Sequence, residues 1–168
     1  KDIITFLNKD ENSFKKIYQA YEQIGNIGKE GIVYIIKDQN DKEFAMKQFK
    51  KTKSSKKLEI EFDIQKQASK FNICPQVYDV NIIEKYIIME KMDNHLIDIM
   101  KLQNGDLTQK QQLDIIKIYQ TLDKAKVFHG DSNILNYMYK NKKLYIIDFG
   151  MSSIVDGKLI KKLKTDTP

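Results

Sequence analysis

The 168-residue sequence predicts an α+β fold in which an antiparallel sheet precedes a mostly helical region. Alternating or continuous apolar runs bounded by turn residues, which are typical of strands, occur within residues 24–49, at 77–80 and at 86–89. Apolar residues recur at helical spacing over 58–71 and 108–126. These patterns predict five strands and one main helix for the first part of the fold.

Composition narrows the class of protein. With 41% hydrophobic and 31% charged residues the chain has a soluble globular composition, and no apolar run approaches the roughly 20 residues of a spanning helix. The charged first residues do not form a secretory signal, and Cys74 is a single cysteine, so we expect a reducing, cytoplasmic location. The net charge of +6 favours an anionic ligand without choosing between nucleotide, nucleic acid and lipid.

The first 23 residues are expected to form an N-terminal helical extension. Apolar residues between Ile3 and Tyr21 recur mostly at intervals of three and four, which predicts one or two amphipathic helices. Packing and regulation are both open as roles for this extension.

One strand carries a lysine on an apolar face. Alternation along Glu43–Phe49 places Lys47 on the same side as Ala45 and Phe49. This placement is unusual for a solvated lysine and suits one that points into a nucleotide cleft.

The main chemical signal lies between Val127 and Gly150. Asp131 and Asp148 each follow an apolar or aromatic run, lie close to a glycine, and have Asn136 between them. Two short strands around a polar turn at 141–143 predict a hairpin whose outer ends meet, which brings Asn136 beside Asp148. Three oxygen-bearing side chains at one point suit a hard cation such as Mg²⁺.

The segments His129-x-Asp131, Asn136 and Asp148-Phe149-Gly150 resemble the catalytic loop and metal-binding motif of protein kinases. The resemblance implies that Asp131 accepts the proton of a substrate hydroxyl. It also implies that Asn136 and Asp148 hold Mg²⁺ on the phosphates of ATP.

Upstream segments resemble the same family. Gly28-x-x-Gly31-x-Val33 is similar to the phosphate-covering loop, although Asn26 stands in place of the first glycine. Ala45-Met46-Lys47 is similar to the strand whose lysine contacts the phosphates.

Kinases pair that lysine with a glutamate from the following helix. Glu59 and Glu61 are both candidates here. Because Glu61 lies on the helix face that carries the small residue Ala68, we choose Glu61 as the partner of Lys47 and count both among the catalytic residues.

The resemblance implies a bilobal protein kinase-like fold with an antiparallel five-stranded N-lobe over 24–92 and a reduced, mostly helical C-lobe over 93–168. The strand ending at Met89 would lead into the hinge that binds adenine. The residues implied to contact the nucleotide are Ile27, Gly28, Gly31, Val33, Ala45, Lys47, Met89, Glu90, Met92 and Met138.

The His-Gly-Asp variant resembles the small atypical kinases of the KEOPS complex and minimal viral serine/threonine kinases. Gly130 replaces the arginine of conventional kinases, which argues against control by activation-loop phosphorylation. Asn133 stands where serine/threonine kinases carry lysine, and a rival alignment makes Asn133 the metal ligand. We prefer Asn136, because Asn133 is too close to Asp131 to bracket both a hydroxyl and a metal.

Three functions remain open. A minimal serine/threonine kinase that phosphorylates a protein is preferred, because the expected catalytic and metal-binding residues are all present. A small-molecule kinase and a catalytically weak pseudokinase-type binding module are the alternatives. The basic run at 50–57 leaves a nucleic-acid or acidic-lipid partner open, although a solvated loop explains it as well. A viral chain would act in the host cytoplasm.

Overall fold

The computed structural model describes the backbone of residues 4–9 and 15–24 and all of residues 30–158. The chain divides into two compact units. The first comprises residues 1–62 and 77–91, and the second comprises residues 63–76 and 92–168.

A six-stranded antiparallel sheet dominates the described part of the first unit, with strands in the order β1-β2-β3-β4-β6-β5. The strands are β1 (Ile4–Lys9), β2 (Lys15–Ile24), β3 (Gly31–Lys37), β4 (Glu43–Phe49), β5 (Val77–Asn81) and β6 (Tyr86–Met89). Helix α1 (Ser55–Ser69) follows β4 in the chain. The prediction of five strands is therefore corrected to six within the described residues.

The helices predicted over residues 1–23 are wrong, because the described residues there form β1 and β2. Apolar intervals of three and four do not separate helix from strand in segments this short. An irregularity between Ala20 and Glu22 also interrupts the two-residue alternation that would have indicated a strand. Pairing of β2 with β3 covers an edge that would otherwise be open.

The alternation predicted along β4 is confirmed. On the opposite side of β4 from Lys47, a buried cluster lines one face of the sheet. Its members are Ile36, Phe44, Met46, Tyr86 and Ile88. On the side that carries Lys47, Phe49 packs with Leu58 of α1 and with Ile87.

The described part of the second unit combines helices with short strands. It contains β7 (Asn94–His95), α2 (Leu96–Leu102), α3 (Gln109–Lys124), β8 (Val127–Phe128), β9 (Tyr137–Lys140), β10 (Lys143–Ile146) and β11 (Ser153–Ile154). A one-turn 3-10 helix at Ile134–Asn136 precedes β9. The antiparallel β9–β10 hairpin confirms the predicted turn, and β8 pairs with β11.

Helix α3 anchors the core of the second unit. Thr108 and Gln111 form a reciprocal capping box at its start, which satisfies two backbone donors. Ile118 and Leu122 face a continuous buried cluster that also contains Cys74, Leu96, Val127, Tyr137, Leu144, Ile146 and Phe149. This core fixes both ends of the loop between β8 and β9. No helix in the described ranges is long and apolar enough to cross a membrane.

Candidate functional site

Lys47 and Glu61 form an ion pair in the first unit, with Lys47 Nζ 3.2 Å from Glu61 Oε2. Lys47 lies on an interior strand of the sheet, in register with Val33 of β3 and Ile87 of β6, so its backbone is held on both sides. The Glu61 side chain is 3% exposed and that of Lys47 is 14% exposed. Glu59, the rival candidate, is exposed.

Two residues that the sequence analysis did not select join this pair. Glu30 Oε2 lies 3.3 Å from Lys47 Nζ, and Glu30 Oε1 lies 3.2 Å from Lys53 Nζ. Lys53 Nζ lies 3.0 Å from Glu61 Oε1, so the four side chains close a ring of alternating charges. The ring centroid of Phe49 lies 4.8 Å from Lys47 Nζ and 5.2 Å from Lys53 Nζ, which adds cation–π attraction.

Lys53 belongs to the basic run at 50–57, yet it differs from its neighbours. Its side chain is only 12% exposed, whereas Lys50, Lys51, Lys56 and Lys57 are exposed. Burial lowers the pKa of Lys53, but the carboxylates of Glu61 and Glu30 outweigh that effect and raise the pKa above its usual value of 10.5. Nothing in the sequence separates Lys53 from the other lysines of the run.

The other residues expected near a nucleotide fall in both units. Gly31 starts β3, and a side chain there would overlap the carbonyl oxygen of Gln48. Ala45 pairs with Met89 across the sheet. Met92 and Met138 lie in one buried cluster with Tyr145 in the second unit. Glu90 is half-buried, and Ile27 and Gly28 lie outside the described residues.

His129 supports the loop that carries Asp131. The backbone N–H of Asp131 donates to His129 Nδ1 at 3.3 Å, so the hydrogen of the ring is on Nε2. Nε2 then donates to the carbonyl of Ile147 at 2.9 Å. The ring is buried and meets Phe149 edge-on, with centroids 5.1 Å apart. Both ring nitrogens are thus used to hold backbone in place.

Asp131 and Asn136 are joined through the backbone. Asn136 Nδ2 donates to the Asp131 carbonyl at 3.3 Å, so Asn136 Oδ1 is the atom that could coordinate a metal. The Asn133 side chain accepts from the backbone N–H of Leu135 at 3.0 Å and caps the 3-10 helix. The choice of Asn136 over Asn133 as the metal ligand stays a prediction.

The hairpin brings the backbone on either side of it together. The backbone N–H of Ile147 donates to the carbonyl of Asn136 at 2.8 Å, immediately before Asp148. Asp148 has a φ of +62°, and its Oδ1 accepts from the N–H of Gly150 at 3.1 Å. Mg²⁺ prefers oxygen ligands such as amides and carboxylates, so Asn136 and Asp148 remain the predicted metal-binding residues.

Comparison with known proteins identifies the family. A family model described as the RIO domain matches residues 29–163, most of the chain. The chain belongs to the RIO domain family. RIO proteins are part of the atypical protein kinase-like superfamily, so the kinase-like character that the motifs implied is confirmed at the level of the family.

Two curated relatives are archaeal, and each is a probable bifunctional tRNA threonylcarbamoyladenosine biosynthesis protein. The RIO chain is 33% identical over 101 residues to that of Methanobrevibacter smithii, covering 59% of this chain and 17% of the relative. It is 32% identical over 83 residues to that of Methanocorpusculum labreanum, covering 49% and 14%. The match therefore spans less than a fifth of either relative. These relatives support the resemblance to KEOPS kinases and give no support to a viral origin.

Proposed function

We propose that this RIO-family chain is an ATP- and Mg²⁺-dependent phosphotransferase that transfers the γ-phosphate of ATP to a serine or threonine hydroxyl of a protein. The observation that carries the proposal is the hydrogen-bonded loop in the second unit. That loop ties His129, Asp131 and Asn136 to the hairpin that ends at Asp148.

In this proposal Asp131 accepts the proton of the substrate hydroxyl and aims the oxygen at phosphorus. Its backbone is held by His129 and Asn136, which fixes the loop that carries its carboxylate. Asn136 and Asp148 would hold Mg²⁺, which would neutralise charge on the phosphates. Lys47, oriented by Glu61, donates to phosphate oxygens.

The nucleotide contacts remain part of the proposal. Gly28 and Gly31 belong to the segment that is proposed to cover the phosphates. Ala45 and Met89, which are neighbours across the sheet, supply a small and an apolar surface for adenine. Met92, Met138 and the backbone of Glu90 are the remaining contacts proposed for the nucleotide.

Thermal stability with and without ATP–Mg²⁺, combined with transfer of ³²P from γ-labelled ATP, tests the proposal. We expect stabilisation by ATP–Mg²⁺, because a ligand that binds the folded state raises the melting temperature. We also expect transfer to casein or to the chain itself. Transfer only to small alcohols would indicate a small-molecule kinase. Binding without transfer would indicate a pseudokinase-type module.

A role in tRNA modification is a second candidate, favoured by the names of the two relatives. A basic cavity of about 560 Å³ in the second unit is compatible with contact to a phosphate backbone. Its lysines lie on α3, in the hairpin turn and at the start of β10: Lys110, Lys117, Lys124, Lys142 and Lys143.

Binding of labelled tRNA at several salt concentrations tests this role. Lys117→Ala with Lys124→Ala should weaken binding and flatten its salt dependence, because fewer counterions are then released. Lys56→Ala with Lys57→Ala, at exposed positions of the basic run, is the matched control. Equal loss in both pairs would indicate unspecific attraction and contradict a tRNA site in this cavity.

A further inference from the structure

The ring of charges in the first unit gives Lys47 two acidic partners. Each carboxylate contacts both lysines, and each lysine contacts both carboxylates, at distances of 3.0, 3.2, 3.2 and 3.3 Å. A single Lys47–Glu61 pair would have no net charge. Here Glu30 adds a second negative charge beside the lysine that is proposed to contact the nucleotide, and Lys53 balances it.

The position of Lys53 is set by the main chain as well as by charge. Lys50 donates its backbone N–H to the carbonyl of Glu30 at 2.8 Å, and Lys53 donates its N–H to the carbonyl of Lys50 at 3.0 Å. These bonds place the turn after β4 directly against Glu30. The aromatic ring of Phe49 lies beside both Lys47 and Lys53. Lys53 therefore belongs to a built arrangement and differs in this from the exposed lysines around it.

Nucleotide binding would disturb the balance of the ring. When Lys47 turns to a phosphate oxygen while Glu61 orients it, its attraction to Glu30 weakens. The carboxylate of Glu30 would then repel the incoming phosphate and compete with it for Lys47. Lys53 contacts both carboxylates, and its single positive charge offsets that of Glu30 while Lys47 remains paired with Glu61.

We infer that Lys53 is a positioning residue for nucleotide binding, which holds Glu30 and Glu61 so that Lys47 can engage a phosphate. The inference rests on the proposed function.

Direct titration with the fluorescent analogue mant-ATP in the presence of Mg²⁺ tests this inference on the full chain. Lys53→Met should weaken binding at least tenfold, and Lys53→Arg should restore most of the affinity because it keeps the charge. Adding Glu30→Gln to Lys53→Met should also restore affinity, since it removes the carboxylate that competes with the phosphate for Lys47. Lys51→Met, at an exposed lysine of the same run, is the control.

Each outcome decides the question. Wild-type affinity in folded Lys53→Met overturns the inference and leaves the proposed function intact, whereas a wild-type chain that does not bind mant-ATP refutes the proposed function itself. If Lys53→Met binds weakly and Glu30→Gln does not restore its affinity, the proposed competition between Glu30 and the phosphate is overturned. If Lys53→Met does not fold, Glu30→Gln alone decides: the inference expects binding at least as tight as in wild type, and weaker binding overturns it.

Discussion

Gly130 lies directly against the backbone carbonyl of Met151. A Cβ atom at position 130 would overlap that oxygen, and Gly130 also has a φ of +81°. The absence of the arginine that conventional kinases carry therefore has a steric cause in this chain. The loop bearing Asp131 and the segment that follows Gly150 approach each other too closely for any side chain.

Gly130→Ala should therefore destabilise the protein more than the same change at Gly105. Gly105 has the same φ of +81°, but no atom lies within 4 Å of its added Cβ. Gly105→Ala should cost roughly 1–2 kcal/mol for the left-handed backbone alone. Gly130→Ala should cost a further 1–3 kcal/mol or so for overpacking. Urea unfolding of both variants measures the difference, and equal losses would contradict the close contact.

Glu61→Gln should impair nucleotide binding and stability, because it removes a buried charge that faces two lysines. Loss of one partner from a charged hydrogen-bond network costs roughly 1–3 kcal/mol. Glu59→Gln, two residues away and exposed, is the matched control and should change little. Melting temperatures with and without ATP–Mg²⁺ measure both effects. A larger effect at Glu59 would show that the wrong glutamate has been chosen.

Asp148→Asn should abolish the extra stabilisation that Mg²⁺ gives in the presence of ATP, because it removes the charge that would bind the metal. The fold should survive, since an amide oxygen can still accept from the N–H of Gly150. Asp123→Asn, at an exposed position of α3, is the control. An unchanged metal-dependent shift in Asp148→Asn would indicate a purely structural aspartate.

The raised pKa of Tyr137 should lower the free energy of unfolding at alkaline pH. Burial, and a hydrogen bond of 2.9 Å donated to the hydroxyl of Tyr119, raise the pKa of Tyr137 well above its usual value of 10.0. The unfolded chain loses this proton near pH 10 while the folded protein keeps it. The free energy of unfolding should therefore be unaffected by this group below about pH 10 and fall by about 1.4 kcal/mol per pH unit above it.

Tyr137→Phe should remove that part of the alkaline loss. Urea unfolding at several pH values from 8 to 11 would show a shallower decline in the variant than in wild type. Tyr78→Phe, at an exposed tyrosine, should decline as wild type does. Parallel curves for Tyr137→Phe and wild type would contradict the raised pKa.

Local patterns predicted the elements that bear the site. The alternation along β4 identified the side of the strand that carries Lys47, and the polar turn at 141–143 identified the β9–β10 hairpin. Both depend on contacts between residues that are close in sequence. The helical spacing over 108–126 likewise predicted α3, which Thr108 caps. Such short-range patterns can be recognised in a single sequence.

Features that depend on distant partners were missed. The N-terminal segments became strands because β2 pairs with β3, and tertiary pairing of this kind overrides local spacing. Glu30 and Lys53 are separated by 23 positions in the chain, and only the fold brings their charges together. The close approach of Gly130 to the Met151 carbonyl also could not be predicted from the sequence. There, the glycine is only a residue that replaces the arginine of conventional kinases.

The most direct test of the central claim is ³²P transfer from γ-labelled ATP to casein by wild type and by Asp131→Asn. A positioned base contributes about 10²–10⁴-fold, so turnover in Asp131→Asn should fall at least about 100-fold. The affinity for ATP should change little, because Lys47 and Asp148 remain. Ser132→Ala, at the exposed neighbouring residue, should retain activity. Near-normal turnover in Asp131→Asn, or a larger loss in His129→Ala, would contradict the assignment of Asp131 as the base.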